Sequence, residues 1–459
     1  MTSTNNEVSK RVALLVAAVG SFLTPFMGAS INIALPAIQK EFAMNAILLG
    51  WVSASFLLSA AMFLVPFGRI ADIYGRKKVF LYGITTFTLF SLLCALSASA
   101  PMLITLRFFQ GIGGAMIFGT GVAILTSVFP RQERGKALGI NVASVYTGLS
   151  LGPFLGGILT QHIGWRSVFL ANVPLGVLAI VLILWKLRGE WSEAGGESFD
   201  FTGSVIYGLA LPALMYGFSS LPETRGILLT LAGILGLSAF VVWETKTPSP
   251  ILDINLFRKN TVFAFSNLAA LINYSATFAV GFLLSLYLQY IKGLTSQNAG
   301  FILVSQPVVM AIFSPFTGRL SDRIEPRIVA STGMALTAAG LFLLTSLNES
   351  TALGFIIAAL ILLGLGFALF ASPNTNAVMS SVEKRFYGVA SGTLGTMRLT
   401  GQMFSMGIAM LVFAVYVGGV QITARYHPPF LSGVRVAFFI FAVLCLGGIF
   451  ASLARGRVR

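Results

Sequence analysis

The chain has 459 residues, 56% of them hydrophobic and only 10% charged, with a net charge of +15. A soluble domain carries about 25% charged residues to cover its surface, so a water-soluble globule is excluded. The excess of Lys and Arg would suggest nucleic acid in a soluble protein, but their placement along this chain gives a different explanation.

The first nine residues are polar, and no small-residue cleavage site follows, so the first apolar run reads as a span and not as a cleaved signal. Apolar runs then recur to the C-terminus. Each is long enough for the roughly 20 residues that a bilayer-crossing helix needs. They are continuous, without the alternation of barrel strands. In chain order the spans are expected at about 11–36, 47–67, 79–98, 101–129, 136–160, 166–187, 201–221, 226–244, 261–289, 298–317, 328–347, 352–380, 387–418 and 433–454. The fold class is therefore an all-α polytopic membrane protein, with the lipid bilayer as its principal partner. Cys94 and Cys445 fall inside apolar runs and read as packing residues, not a disulfide. No nucleophile–base pair, metal-ligand spacing or phosphate loop occurs, so neither an enzyme nor a cofactor or metal site is expected.

An even number of spans puts both termini on one side. Counted on that basis, 22 Lys and Arg lie on the terminal side and six on the other, with Arg107 and Arg398 inside spans. This bias places both termini in the cytoplasm of a cell-membrane protein. It also accounts for the basic charge without nucleic acid.

The chain repeats itself. Gly68-Arg-Ile-Ala-Asp72-Ile-Tyr-Gly75-Arg76-Lys-Lys lies between spans 2 and 3, and Gly318-Arg-Leu-Ser-Asp322-Arg-Ile-Glu-Pro-Arg327 between spans 10 and 11. Each joins the second and third spans of a six-helix block. The expected organisation is a first bundle over 1–187, a linker with two additional helices over 188–260, and a second bundle over 261–459. Parallel halves with a central site are a recurrent transporter architecture.

Four motifs, in order and in the expected spans, give the chain a resemblance to the major facilitator superfamily, and to its fourteen-helix drug:H⁺ antiporter branch. The Gly68–Lys78 segment with its degenerate copy is the first. Leu103-Ile-Thr-Leu-Arg107-Phe-Phe-Gln110-Gly111 in span 4 is the second. The third is Gly139, Gly148, Gly152-Pro153 and Gly156-Gly157 in span 5, at the spacing of the family's antiporter signature. Trp165-Arg166…Phe169…Asn172-Val-Pro174 entering span 6 is the fourth.

Each motif has a physical reading. Asp72 can cap a facing helix N-terminus and pair with Arg76. The resemblance implies that Asp72, with Asp322 as its counterpart, latches the halves together on the cytoplasmic side when the transporter opens outward. Arg107 is a costly in-span charge with Gln110 one turn on. The resemblance assigns it to coupling between proton and substrate. Gly148, Gly152 and Gly156 make one smooth helix face for close approach, and Pro153 bends that helix. Arg398 sits deeper, about eleven residues into span 13, and is expected to face a cavity near Gln402. Asn32, Asn141, Gln306 and Asn374, with Thr24, Tyr146, Asn273 and Asn376, are further cavity candidates.

One position departs from the family. Met27 stands where an aspartate usually precedes the Asn32-Ile-Ala-Leu-Pro36 stretch, and all fifteen acidic residues fall in loops or at span ends. Neither a cation nor a proton then has a mid-membrane carboxylate to bind. The expected function is secondary active export of small amphipathic molecules by alternating access, with H⁺ as coupling ion and the monomer as unit. The alternative is export or facilitated passage of an anionic or neutral metabolite without that proton antiport, with the two arginines as counter-charges.

Overall fold

The computed structural model describes residues 2–456 apart from 188, 193, 195, 253, 322 and 384–386. Fourteen helices in it are long and apolar enough to cross a membrane: α1 (Ser9–Phe42), α2 (Ala46–Tyr74), α3 (Arg76–Ala95), α4 (Ala100–Val128), α5 (Gln132–His162), α6 (Arg166–Lys186), α7 (Phe201–Ser219), α8 (Thr224–Glu244), α9 (Thr261–Ile291), α10 (Ser296–Ser321), α11 (Pro326–Leu344), α12 (Leu353–Ser380), α13 (Tyr387–Tyr416) and α14 (Ala424–Ala454). No strand occurs among the described residues.

Short polar side chains fix several starts by accepting a free backbone N–H of the first turn. Asn45 accepts from Leu48 N at 2.8 Å before α2, Asp200 from Gly203 N at 2.9 Å before α7, and Asn260 from Phe263 N at 2.9 Å before α9. The segment read from sequence as a loop over 68–78 is helical instead. Helix α2 runs through Asp72 to Tyr74 and α3 begins at Arg76, so the connection is Gly75 alone, at φ +120°. Only glycine adopts that backbone without strain. The last turn of α9, Tyr287–Ile291, is a π turn.

The first six spans pack among themselves, α1 on α5 and α2 on α4 and α3 beside them. The last six do likewise, α11 on α12, α10 on α12 and α9 on α13. The two sets meet along α2 with α13 and α5 with α10. The added hairpin α7–α8 zips through its own glycines: a Cβ on Gly233 would lie 2.7 Å from Leu214 N, and one on Gly217 2.6 Å from Thr230 N. The hairpin leans on both sets. Tyr207 donates its hydroxyl to Ala61 O on α2 at 3.2 Å, while Phe218 and Met215 face Gly407 on α13.

Candidate functional site

The two six-span sets touch at one membrane face and part at the other. At the face opposite the termini, cross-set hydrogen bonds form a seal. Ser285 donates to Asn32 O at 2.6 Å and Gln289 to Ile33 O at 3.1 Å; Tyr290 bonds Gln39. Ala46 N donates to Val420 O at 3.0 Å, and His162 lies 2.9 Å from Gln297. Gln289 and Tyr290 lie on the π turn of α9.

Helix α5 records the asymmetry. A Cβ on Gly157 would lie 2.7 Å from Ser296 O, and one on Gly300 would strike Pro153 O, so α5 and α10 are backbone to backbone there. Toward the terminal face, Gly139 and Gly135 on α5 and Gly388 and Gly392 on α13 have nothing within 4 Å of such a Cβ. Among the described residues the cross-set hydrogen bonds are confined to the opposite face, and the space between the sets toward the face of the termini is a cleft. The smooth face Gly148, Gly152, Gly156 packs on α1 of its own set: a Cβ on Gly152 would meet Ala29 Cβ at 2.6 Å, and one on Gly156 Ser30 Cα at 2.8 Å. The residues that meet the other set are Pro153 and Gly157, on the neighbouring strip of the helix.

The closed end of the cleft carries a polar group drawn from both sets. Arg398 on α13 donates from Nη2 to Thr375 Oγ1 on α12 at 2.7 Å, and its guanidinium lies 5.7 Å from the Tyr274 ring centre on α9. Tyr146, from α5 of the first set, approaches Ser314 on α10, Tyr274 and Arg398. Met310, Phe367 and Ala371 pack with Tyr146, Leu149 and Tyr274 as an apolar wall. Arg398 Nε is buried here without a partner, while Ser314 faces the Tyr146 hydroxyl. An unpaired cationic donor suits a carboxylate or carbonyl oxygen.

Arg107 is placed otherwise. It is fully buried inside the first set, with Nε donating to Val52 O at 3.1 Å and Nη1 to Gln110 Oε1 at 2.5 Å. Gln110 passes the chain on to Ser91 Oγ at 2.6 Å, and the Arg107 guanidinium lies 4.6 Å from the Phe56 ring centre. None of these partners lines the cleft. The expectation that Arg107 and Gln110 face a cavity is thereby corrected. Asn374 is corrected too: it bonds Ser266 O at 3.0 Å and accepts from Arg455 at 3.0 Å, inside the second set. Burial pushes the Arg455 guanidinium down to about 10, still a cation at neutral pH. Asn141 accepts from Ser21 at 2.8 Å, joining α5 to α1, and Asn32 accepts from Ser53 at 3.1 Å at the seal. Gln306 and Gln402 are half-buried on α10 and α13.

Sequence reasoning missed Tyr274, Ser314 and Thr375. Two of them adjoin residues it chose, Asn273 and Asn374. One residue along a helix is a turn of 100°, which separates the cleft from the interior of the set.

Asp72 accepts from Arg76 Nε at 2.9 Å and Nη2 at 2.7 Å, and Arg76 Nη1 donates to Ser127 on α4 at 2.7 Å. The linker covers this corner: Glu197 pairs with Arg69 at 2.5 Å, Ala194 N donates to Asp72 O at 3.0 Å, and Glu190 accepts from Lys77 N at 2.8 Å. A Cβ on Gly75 would meet the Glu190 carboxyl carbon at 2.5 Å, a second reason for glycine there; Gly68 is unobstructed. Gly318 lies on the last turn of α10, and its counterpart Asp322 lies outside the described residues.

Comparison with known proteins agrees with this architecture. The chain is 29% identical over 445 residues to the riboflavin transporter RibZ of Clostridioides difficile, covering 96% of each. It is 31% identical over 412 residues to the multidrug resistance protein Stp of Mycobacterium tuberculosis, covering 88% of this chain and 76% of that protein. It is 32% identical over 464 residues to the cephamycin export protein CmcT of Amycolatopsis lactamdurans, covering 98% and 95%. A bacterial homolog of the human lysosomal transporter Spinster, solved inward-facing and unoccupied, superposes with a TM-score of 0.70 at 15% identity, covering 99% and 98%. The Major Facilitator Superfamily model matches residues 17–265 and 266–458. With fourteen spans, two six-span sets and a cleft between them, this multi-pass transporter belongs to the Major Facilitator Superfamily.

Proposed function

We propose that the chain exports small amphipathic molecules by alternating access, as a monomer in the bacterial cell membrane with both termini cytoplasmic. The observation that carries this reading is the polar group at the closed end of the cleft, built from both sets around Arg398 with its unpartnered Nε. On the orientation given by the 22-to-6 bias of basic residues, the cleft opens to the cytoplasm. This is the state that loads an exported substrate. The names of the relatives, which mention multidrug resistance, cephamycin export and riboflavin transport, support the small-molecule class, and the cephamycin exporter supports the direction.

The site's charge selects the substrate. It offers a cation, hydroxyls and aromatic faces, and no carboxylate among the described residues named there. Neutral, zwitterionic or anionic amphipaths are therefore favoured, because a permanent cation would meet Arg398 with only about 0.5–2 kcal/mol from aromatic faces to offset the repulsion. In the opposite state, the cleft closes and Asp72 latches the cytoplasmic side; here its carboxylate stays within its own set on Arg76. Export is driven by H⁺ exchange.

The test is flux in proteoliposomes with the pH gradient and the voltage set independently. Accumulation that follows the pH gradient supports H⁺-driven export. Equilibrating flux indifferent to both gradients would replace it with facilitated passage of a neutral or anionic metabolite.

A further inference from the structure

Outside the cleft, one titratable pair is buried and has no part in the transport reading above. It sits at the base of the α7–α8 hairpin. Asp200 precedes α7 and is 8% exposed; Glu244 ends α8 and is 2% exposed. Asp200 collects N–H donors: Gly203 N at 2.9 Å on Oδ1, and Trp243 Nε1 at 3.1 and 3.0 Å from its two oxygens. Glu244 Oε2 accepts from Leu252 N at 2.8 Å, whereas its Oε1 is buried with no donor. That oxygen and Asp200 Oδ2 converge on the spot where a Cβ on Gly203 would stand, 2.5 Å from the Glu244 oxygen, so glycine at 203 leaves room for them to face each other.

Two ionised carboxylates side by side in a buried site repel strongly, and one of them keeps its proton. Among the described residues no Lys or Arg pairs with either; Asp253, in the adjoining loop, lies outside them. A resident metal cation is a poor fit. Hard cations take about six or more oxygen ligands, and the other groups here are N–H donors. The distribution of donors decides which partner is neutral. Asp200 already takes N–H donors from Gly203 and Trp243 at a helix N-terminus. Glu244 holds Leu252 N through Oε2 and keeps an idle Oε1.

We propose that the hairpin base is a proton-binding site, in which Glu244 Oε1–H donates to the Asp200 carboxylate. The proton satisfies the idle oxygen and leaves Oε2 free to hold Leu252 N. It thereby fastens the 245–252 segment over the hairpin. Loss of the proton at alkaline pH sets two charges against each other and loosens that segment; lower pH restores it. Glutamine reproduces the protonated pattern at every pH, since its amide donates to Asp200 while its carbonyl accepts from Leu252.

The experiment uses the full chain, purified in detergent. Infrared spectra at neutral pH should show a protonated-carboxyl stretch that Glu244→Gln removes. Amide exchange over 246–252, compared at equal pH, should be about the same in Glu244→Gln and wild type at neutral pH, and at least tenfold faster in wild type at alkaline pH. Glu244→Ala should exchange rapidly throughout. No carboxyl band removed by Glu244→Gln would overturn the proposal. So would a Glu244→Gln variant that exchanges as fast as Glu244→Ala at neutral pH, since that would mean that Glu244 is normally ionised.

Discussion

Arg107 and Arg398 are both in-span arginines, and the structure gives them opposite surroundings. Arg107 is fully buried in one set of helices, with Val52 O and Gln110 as partners and an aromatic ring against its face. Arg398 is half-buried where two sets meet, with Thr375 as partner, Nε idle and tyrosines from both sets around it. The cost of burying a charge is common to both, so a charge inside a span does not by itself mark a binding site. A charge with unspent hydrogen-bonding capacity, at a surface that opens and closes, does. Arg107 is a fastener of α2, α3 and α4; Arg398 keeps an idle Nε where the two sets meet.

This contrast can be broken by stability and transport measured together. The largest effect on the fold is expected from Arg107→Ala. It strands Val52 O on α2 and Gln110 on its own helix and removes a ring contact, and two hydrogen bonds of about 1 kcal/mol each with a cation–π term of similar size put the loss at about 2–3 kcal/mol. A thermal unfolding midpoint in detergent that stays at the wild-type value would show that Arg107 is not a fastener. Arg398→Ala should leave that midpoint within the range of a surface change, about ±0.5 kcal/mol, because it removes a single described hydrogen bond. The smallest expected effect is on transport by Tyr274→Phe, a fewfold weakening at most, since the ring that faces Arg398 remains and only its hydroxyl goes. A total loss of flux in that variant would move the centre of recognition from Arg398 to the tyrosine.

The sequence was most informative where physics is one-dimensional. Span length and the sidedness of Lys and Arg depend on composition along the chain, and the fourteen spans appear near their expected places. The repeated Gly-Arg…Asp motif located the corner at Gly75, though the helix runs through Asp72 where a loop was expected. The site was less legible because it depends on helix phase. Arg398 was chosen for its depth, which excludes snorkelling to either surface, whereas the choice of Asn374 over Thr375 turned on 100° of rotation. Gly148, Gly152 and Gly156 form a close-packing face, as their spacing implies, and only the fold shows that its partner is α1 of the same set. The Asp200–Glu244 pair was hidden for a different reason: the two residues lie at opposite ends of a hairpin, and only the fold brings them together.

The central claim, that the cleft recognises its substrate through the free capacity of Arg398, is tested most directly by charge-matched flux. Two amphipaths sharing one aromatic ring system, one anionic and one dicationic, would be followed in proteoliposomes containing wild type, Arg398→Lys and Arg398→Ala. The account predicts that wild type moves the anion in preference to the dication. It predicts that Arg398→Lys keeps part of that flux, and that Arg398→Ala loses at least about tenfold, equivalent to about 1.4 kcal/mol of recognition. Robust transport of the dication, unchanged in Arg398→Ala, would contradict it.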